Sequence, residues 1–163
     1  YLIKLGHKNI GCIHAPEKYY VNSERISGFK AALKENGIAM ENSNFLDGGH
    51  TLETSYQSAL KLLCSKQSIT AIFATDDIKA LGVYKAAQSL SLNIPNDLSV
   101  IGHNDYEFSS MITPRLTTIK VPIYELGIAA ASKLFSLINN KKEEPNLILS
   151  TSFIYRESVC QKN

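Results

Sequence analysis

Cysteine is scarce and odd in number in this sequence: Cys12, Cys64 and Cys160 stand far apart, with no C-x-x-C between them. Their spacing suggests neither a disulfide framework nor a thiolate metal site, and it fits a reduced, cytosolic setting. Charge of one sign is also lacking. The 17 Lys and Arg against 15 Asp and Glu leave a formal +2, scattered along the chain, which gives this stretch no surface for nucleic acid or membrane. No apolar run is long enough to span a bilayer, and the opening YLIKLGHKNI has neither the charged start nor the apolar core of a secretory signal. It reads instead as the interior of a helix, as in a piece of something longer. Absent too are G-x-S-x-G, H-E-x-x-H and G-x-G-x-x-G, and DGGH at 47–50 is too short to act as a phosphate loop. Catalysis has no nucleophile and base to start from; the adjacent acids Asp76 and Asp77 alone leave a receiver-like or phosphoryl-transfer enzyme open.

What is present is an ordinary globular composition, 44% hydrophobic and 20% charged over 163 residues, enough for one domain with its own core. Short β-rich runs alternate with amphipathic stretches. NIGCIH (9–14) predicts a buried strand, and residues 23–37 a helix with Ile26, Phe29 and Leu33 on one face, Ser23 as its cap and Gly37 as its left-handed end. NFLDG is a weaker strand, followed by a helix marked by Tyr56, Ala59, Leu60 and Leu63. TAIFAT (70–75) is the clearest strand; Ala80, Val83, Ala87 and Leu90 trace a third helix, and LSVIGH (98–103) is a fourth strand. This alternation predicts an α/β fold, a parallel sheet flanked by helices on both faces and joined by right-handed crossovers. The near-continuous apolar runs AIFA and SVIG agree, because parallel strands are buried on both sides. KKEEP (141–145) is a charge run expected to form a solvated turn. The helix at 121–140 is apolar nearly all round, so it needs neighbours that one four-stranded sheet does not supply: a partner chain or further sequence.

Ligands of open parallel sheets bind outside the carboxyl ends of the strands. On the strands above, that edge carries His14, residues 47–50, Asp76 with Asp77, and Asn104 with Asp105. Arg25 is expected in the first turn of its helix, where the helix dipole opposes a positive charge. Its guanidinium either reaches this rim to donate paired hydrogen bonds to hydroxyls or a carboxylate, or pairs with Glu24 at the surface. Tyr19, Tyr20 and His50 offer flat rings that stack on a sugar or base, or else pack over a helix end. One of Asp76 and Asp77 caps the third helix.

Six segments, YLIKLGHKNIGCI, SERISGFKAAL, AIFATDDIKALG, NIPNDLSVIGHND, TPRLTTIKVPIYELG and YRES, occur in the order and spacing of bacterial regulators of the lac repressor and gal repressor type, which the chain resembles over nearly its whole length. The resemblance implies one lobe of a type I periplasmic-binding-protein-like fold: a carboxyl-terminal lobe at 1–119 and about 146–163, with the helix at 123–139 belonging to an amino-terminal lobe outside this stretch. It implies no cofactor and no metal, a sugar-like small-molecule effector, a homodimer, and operator DNA contacted only through a separate helix-turn-helix headpiece. An exported sugar-binding protein for uptake shares the lobe architecture and is the alternative. By the same resemblance Arg25 contacts effector hydroxyls and His50 stacks on the ligand. Asp76 stands where relatives carry an Asn or Ser that bonds the effector, and Asn104 where they carry an Asp. Tyr19 and Val21 line the site, while Asp77, as helix-end support, and Asp105 are structural. Three departures stand out: HAP replaces a glycine-rich turn and puts His14 near the pocket floor, Val21 cannot donate a hydrogen bond, and amide and carboxylate are exchanged between positions 76 and 104.

Overall fold

In the computed structural model of the chain, residues 1–16, 18–65, 68–139 and 146–162 are described; KKEEP lies outside them. Four strands, β1 (Ile10–His14), β2 (Phe45–Asp47), β3 (Ala71–Ala74) and β4 (Ser99–Ile101), form one sheet in the order β2-β1-β3-β4. All three pairings are parallel. The helices α1 (Tyr20–Glu35), α2 (Leu52–Leu63) and α3 (Asp77–Ser89) connect them. The expected α/β sheet is therefore present, strand for strand.

Alternation along the strands sorts the core into two layers. Ile13, Ile72, Ala74 and Val100 pack with Ala59 and Leu62 of α2 and with Ala80, Val83 and Ala87 of α3. Ile10, Ala71 and Ile101 face the other way, toward Leu33 and Phe29 of α1, and the Phe29 ring stacks on Phe73 with centroids 5.7 Å apart. Gly82 lets α2 and α3 touch, since a Cβ there would lie 2.7 Å from that of Ser55.

Several local expectations change. The first helix starts at Tyr20, so Ser23 is inside it, its Oγ donating to Tyr20 O at 2.8 Å; Tyr19 occupies the cap position without a side-chain bond. Arg25 consequently lies in the second turn, past the strongest part of the dipole. Gly37 does adopt the left-handed conformation, φ 66°. The opening residues form turns around a buried Leu2 rather than a helix. An antiparallel pair not anticipated, β5 (Thr118–Lys120) with β6 (Ser152–Ile154), brings the carboxyl-terminal segment back beside β4. Between β5 and β6, α4 (Ile123–Ile138) buries none of its residues on this sheet; Phe135 is 68% exposed.

One residue ties the end of the sheet together. The Asp77 carboxylate is fully buried. Its Oδ1 accepts from Thr118 Oγ1 at 2.6 Å, and its Oδ2 accepts from Ser109 Oγ at 2.9 Å and Tyr106 N at 2.8 Å. Gly102 has to be glycine because a Cβ would collide with this carboxylate. Asp77→Ala strands three buried donors at once, so urea denaturation is expected to show a stability loss of about 3 kcal/mol or more. A loss below about 1 kcal/mol would remove Asp77 from this role.

Candidate functional site

The strand order places the site. From β1 the chain moves outward through α1 to β2, then returns to the other side of β1 for β3, so α1 and α3 lie on opposite faces and a crevice opens between the ends of β1 and β3. Arg25 spans this crevice. Its Nη1 donates to Thr75 O at 2.7 Å, just beyond β3, and its Nη2 donates to Asn104 Oδ1 at 3.2 Å, beyond β4. The alternative pairing with Glu24 is not formed. Burial pulls the guanidinium below its ordinary pKa, and the charge of Asp76 opposes this.

Asn104 is the hub. Its Nδ2 donates to Asp76 Oδ2 at 2.8 Å and to Tyr106 OH at 3.2 Å, while Oδ1 receives Arg25 and faces His103 Nδ1 at 3.0 Å. A carboxylate on one side and a guanidinium on the other leave only one way round for the amide. The oxygen can only accept, so His103 donates from Nδ1; burial first, then Arg25, holds that imidazole below its usual pKa. The backbone at Asn104 and Asp105 is left-handed, φ 112° and 58°. Two further contacts hold it there: Asn104 N donates to Ile119 O at 2.8 Å, and Asp105 pairs with Arg156 at 2.7 Å. Asp105 is thus structural, as expected.

The adjacent acids divide their work differently from the expectation. Asp76, in extended conformation, is the cap of α3: its Oδ1 accepts from Ile78 N at 2.8 Å, while Oδ2 faces Asn104 and Tyr106. Asp77 supports no helix end by capping; it is the buried anchor described above. The correction follows from geometry, because Asp76, in extended conformation just before the helix, can fold its side chain back onto the free N–H of Ile78, while the Asp77 carboxylate is taken up by Tyr106, Ser109 and Thr118.

The other expected residues stand around this network without joining it. Tyr19 and His50 meet edge to face, centroids 5.6 Å apart, and Val21 is exposed in the first turn of α1. His14 is buried at the end of β1 with Nδ1 on Ala15 O at 2.9 Å and its ring beside Phe45. Four participants were not anticipated: Thr75, His103, Tyr106 and Lys79. Lys79 had a readable signal, three positions after Asp76 on a helix that starts at the rim. Tyr106 and Thr75 were within two residues of named positions. Among the described residues no group of three His, Cys, Asp or Glu is arranged to hold a metal ion. No helix among them is long and apolar enough to cross a membrane.

A parallel sheet with polar groups gathered at its switch point is the architecture of the periplasmic binding protein-like type, and the chain belongs to that family: the description "Periplasmic binding protein-like domain" matches residues 1–159. Within it, the homologues over this length are repressors of the LacI type. The chain is 38% identical over 161 residues to the HTH-type transcriptional repressor PurR of Pectobacterium atrosepticum, covering 98% of this chain and 47% of that protein. It superimposes on the lac repressor dimer bound to operator and the anti-inducer ONPF with a TM-score of 0.90 at 28% identity, covering 98% of this chain and 55% of that one. On the transcriptional regulator CelR–cellobiose complex the TM-score is 0.91 at 26% identity, covering 96% and 48%. The chain spans about half the length of the curated relatives it matches.

The capping role gives a separable test. Asp76→Ala removes the cap and is expected to cost about 1 to 2 kcal/mol in urea denaturation, whereas Asp76→Asn, which caps equally well, keeps most of that stability. Equal losses in both variants would mean that the charge facing Asn104, and not the cap, is what matters.

Proposed function

We propose that this chain is the effector-binding part of a LacI-type transcriptional regulator, and that a sugar-like small molecule held at the rim controls DNA binding by a helix-turn-helix headpiece outside this stretch. The observation that carries the proposal is Arg25, fixed across the switch point by two hydrogen bonds with the remaining N–H groups of its fork uncommitted. In this reading Asp76 and Asn104 complete the polar wall, His14 lies at the floor, and Tyr19, Val21 and His50 flank the ligand. In this reading the site binds an effector and does not turn it over. The repressor relatives favour regulation in the cytosol over uptake by an exported sugar-binding protein. That one neighbour is a complex with cellobiose supports a sugar-like effector; that another is a dimer on its operator supports a homodimer.

The lobe division follows the same reading: residues 1–119 and about 146–163 form one lobe, and α4 packs in the other. An α4 that buries nothing on the sheet supports this assignment.

In the full-length protein, Arg25→Ala is expected to weaken effector binding by about 1.5 to 3 kcal/mol, ten- to more than a hundredfold, measured by calorimetry. Unchanged affinity would end the proposal. For α4, the isolated chain is expected to self-associate, because exposed apolar patches of this kind recruit partners. Light scattering over a dilution series tests this, and a strict monomer at high micromolar concentration contradicts it.

A further inference from the structure

Lys79 is the third residue of α3 and only 5% exposed. Lysines are almost never buried to this degree unless paired. Yet among the described residues its ammonium forms no hydrogen bond, and no carboxylate comes within ion-pair distance. The two acids whose charges reach it, Asp76 and Asp47, are already engaged. Asp76 accepts from Ile78 N and from Asn104, and Asp47 Oδ1 accepts from Gly49 N at 2.7 Å. Burial lowers the lysine's pKa, Asp76 and Asp47 partly oppose this by favouring the charged form, and the Arg25 charge adds to the lowering. Among the described residues the sealed side-chain atoms without a partner are Asn44 Oδ1 and Thr75 Oγ1, and the Lys79 ammonium is not one of them.

The groups around it share one character. Arg25 has N–H groups left over after Thr75 and Asn104. The start of α1 has no side-chain cap; Asn22 N and Ser23 N donate to Tyr19 O, and the N–H groups of Tyr20 and Val21 have no partner among the described residues. Asn104, whose amide could have either donated or accepted, is consumed inside the protein. The Lys79 ammonium, the outer edge of Arg25 and these N–H groups are donors in want of an acceptor, and a neutral polyol, whose hydroxyls each donate as well as accept, answers them less fully than an oxyanion does.

From the buried, unpaired Lys79 and this surplus of donors we infer that the effector carries an acidic group, a carboxylate or a phosphate ester, which docks on the Lys79 ammonium beside the open edge of Arg25. The inference rests on the effector-site reading above and narrows its ligand class to acidic sugars and similar hydroxylated acids. Three N–H donors on a desolvated cation match an oxyanion, and the helix start adds a favourable field for it.

The test is a calorimetric and thermal-shift panel on the full-length protein, using matched probes: glucose and galactose, glucuronate and galacturonate, glucose 6-phosphate and galactose 6-phosphate. At least one acidic probe is expected to bind ten- to a hundredfold tighter than its neutral counterpart. Uronates and phosphates compared with each other distinguish a carboxylate from a phosphate. Lys79→Met is expected to bring that acidic probe down to the affinity of the neutral one while keeping the melting temperature, because it removes a desolvated charge; Lys79→Gln is the second variant should Met pack badly. No binding by any acidic probe, equal binding by its neutral partner, or an acidic preference that survives in both variants overturns the inference. A neutral sugar that binds, and is lost in Arg25→Ala, would keep the effector site and discard only the acidic group.

Discussion

A single buried carboxylate organises the rim. Asp77 takes hydrogen bonds from the backbone of Tyr106, the hydroxyl of Ser109 and the hydroxyl of Thr118, and its own N–H donates to His103 O at 3.0 Å. These partners come from the loop after β4 and from β5, elements that share no sequence neighbourhood with α3. A buried charge is tolerated here because donors surround it and because it sits at the amino end of a helix, where the dipole favours an anion. Everything polar at the crevice is positioned relative to this point. Tyr106 points its hydroxyl toward Asp76 and Asn104 because its backbone is held by Asp77, and Asn104 keeps its left-handed backbone because the residues on either side are fixed.

The second support comes from the far end of the chain. Arg156 donates to Leu116 O at 2.9 Å and to Asp105 at 2.7 Å, in a pair whose side chains are only 16% and 14% exposed. Ser158 Oγ donates to Val100 O and accepts from Thr117 N, stitching the same segment to β4 and to the start of β5. An isolated surface ion pair contributes little, but this one is largely shielded and hydrogen-bonded on both sides, so it restrains the loop that carries Asn104.

The fold was legible because its signals are local. Strands of a parallel sheet are short apolar runs, and helices of this length show their buried face by spacing alone, so the order of elements and the shared rim at their ends could be read directly. The wrong details have a common cause. Whether Asp76 or Asp77 caps α3 depends on where the helix starts to within one residue, which apolar spacing does not define. Ser23 was a reasonable cap, but packing of Ile26 and Leu33 carries the helix back to Tyr20 regardless. The antiparallel pair β5 and β6 joins segments more than 30 residues apart, and no local pattern announces it. Thr75 and Tyr106 lie close to the named positions, but the contacts that bring them into the network, like the burial of Lys79, are properties of the assembled lobe.

In the proposed reading the rim binds with little rearrangement. In a site whose polar groups are free, each must lose rotamer freedom when a ligand arrives, and that cost subtracts from affinity. Here Arg25, Asn104, Asp76 and Tyr106 already restrain one another through hydrogen bonds within the protein. Among the described residues the outer edge of the guanidinium and the Lys79 ammonium remain uncommitted, both carried on helices that pack against the sheet. The division has a consequence for specificity. The inner network fixes the shape and direction of the donors, while the groups left open set which charge the site accepts; a ligand that offered only donors would leave both cations unanswered and would be rejected on that ground.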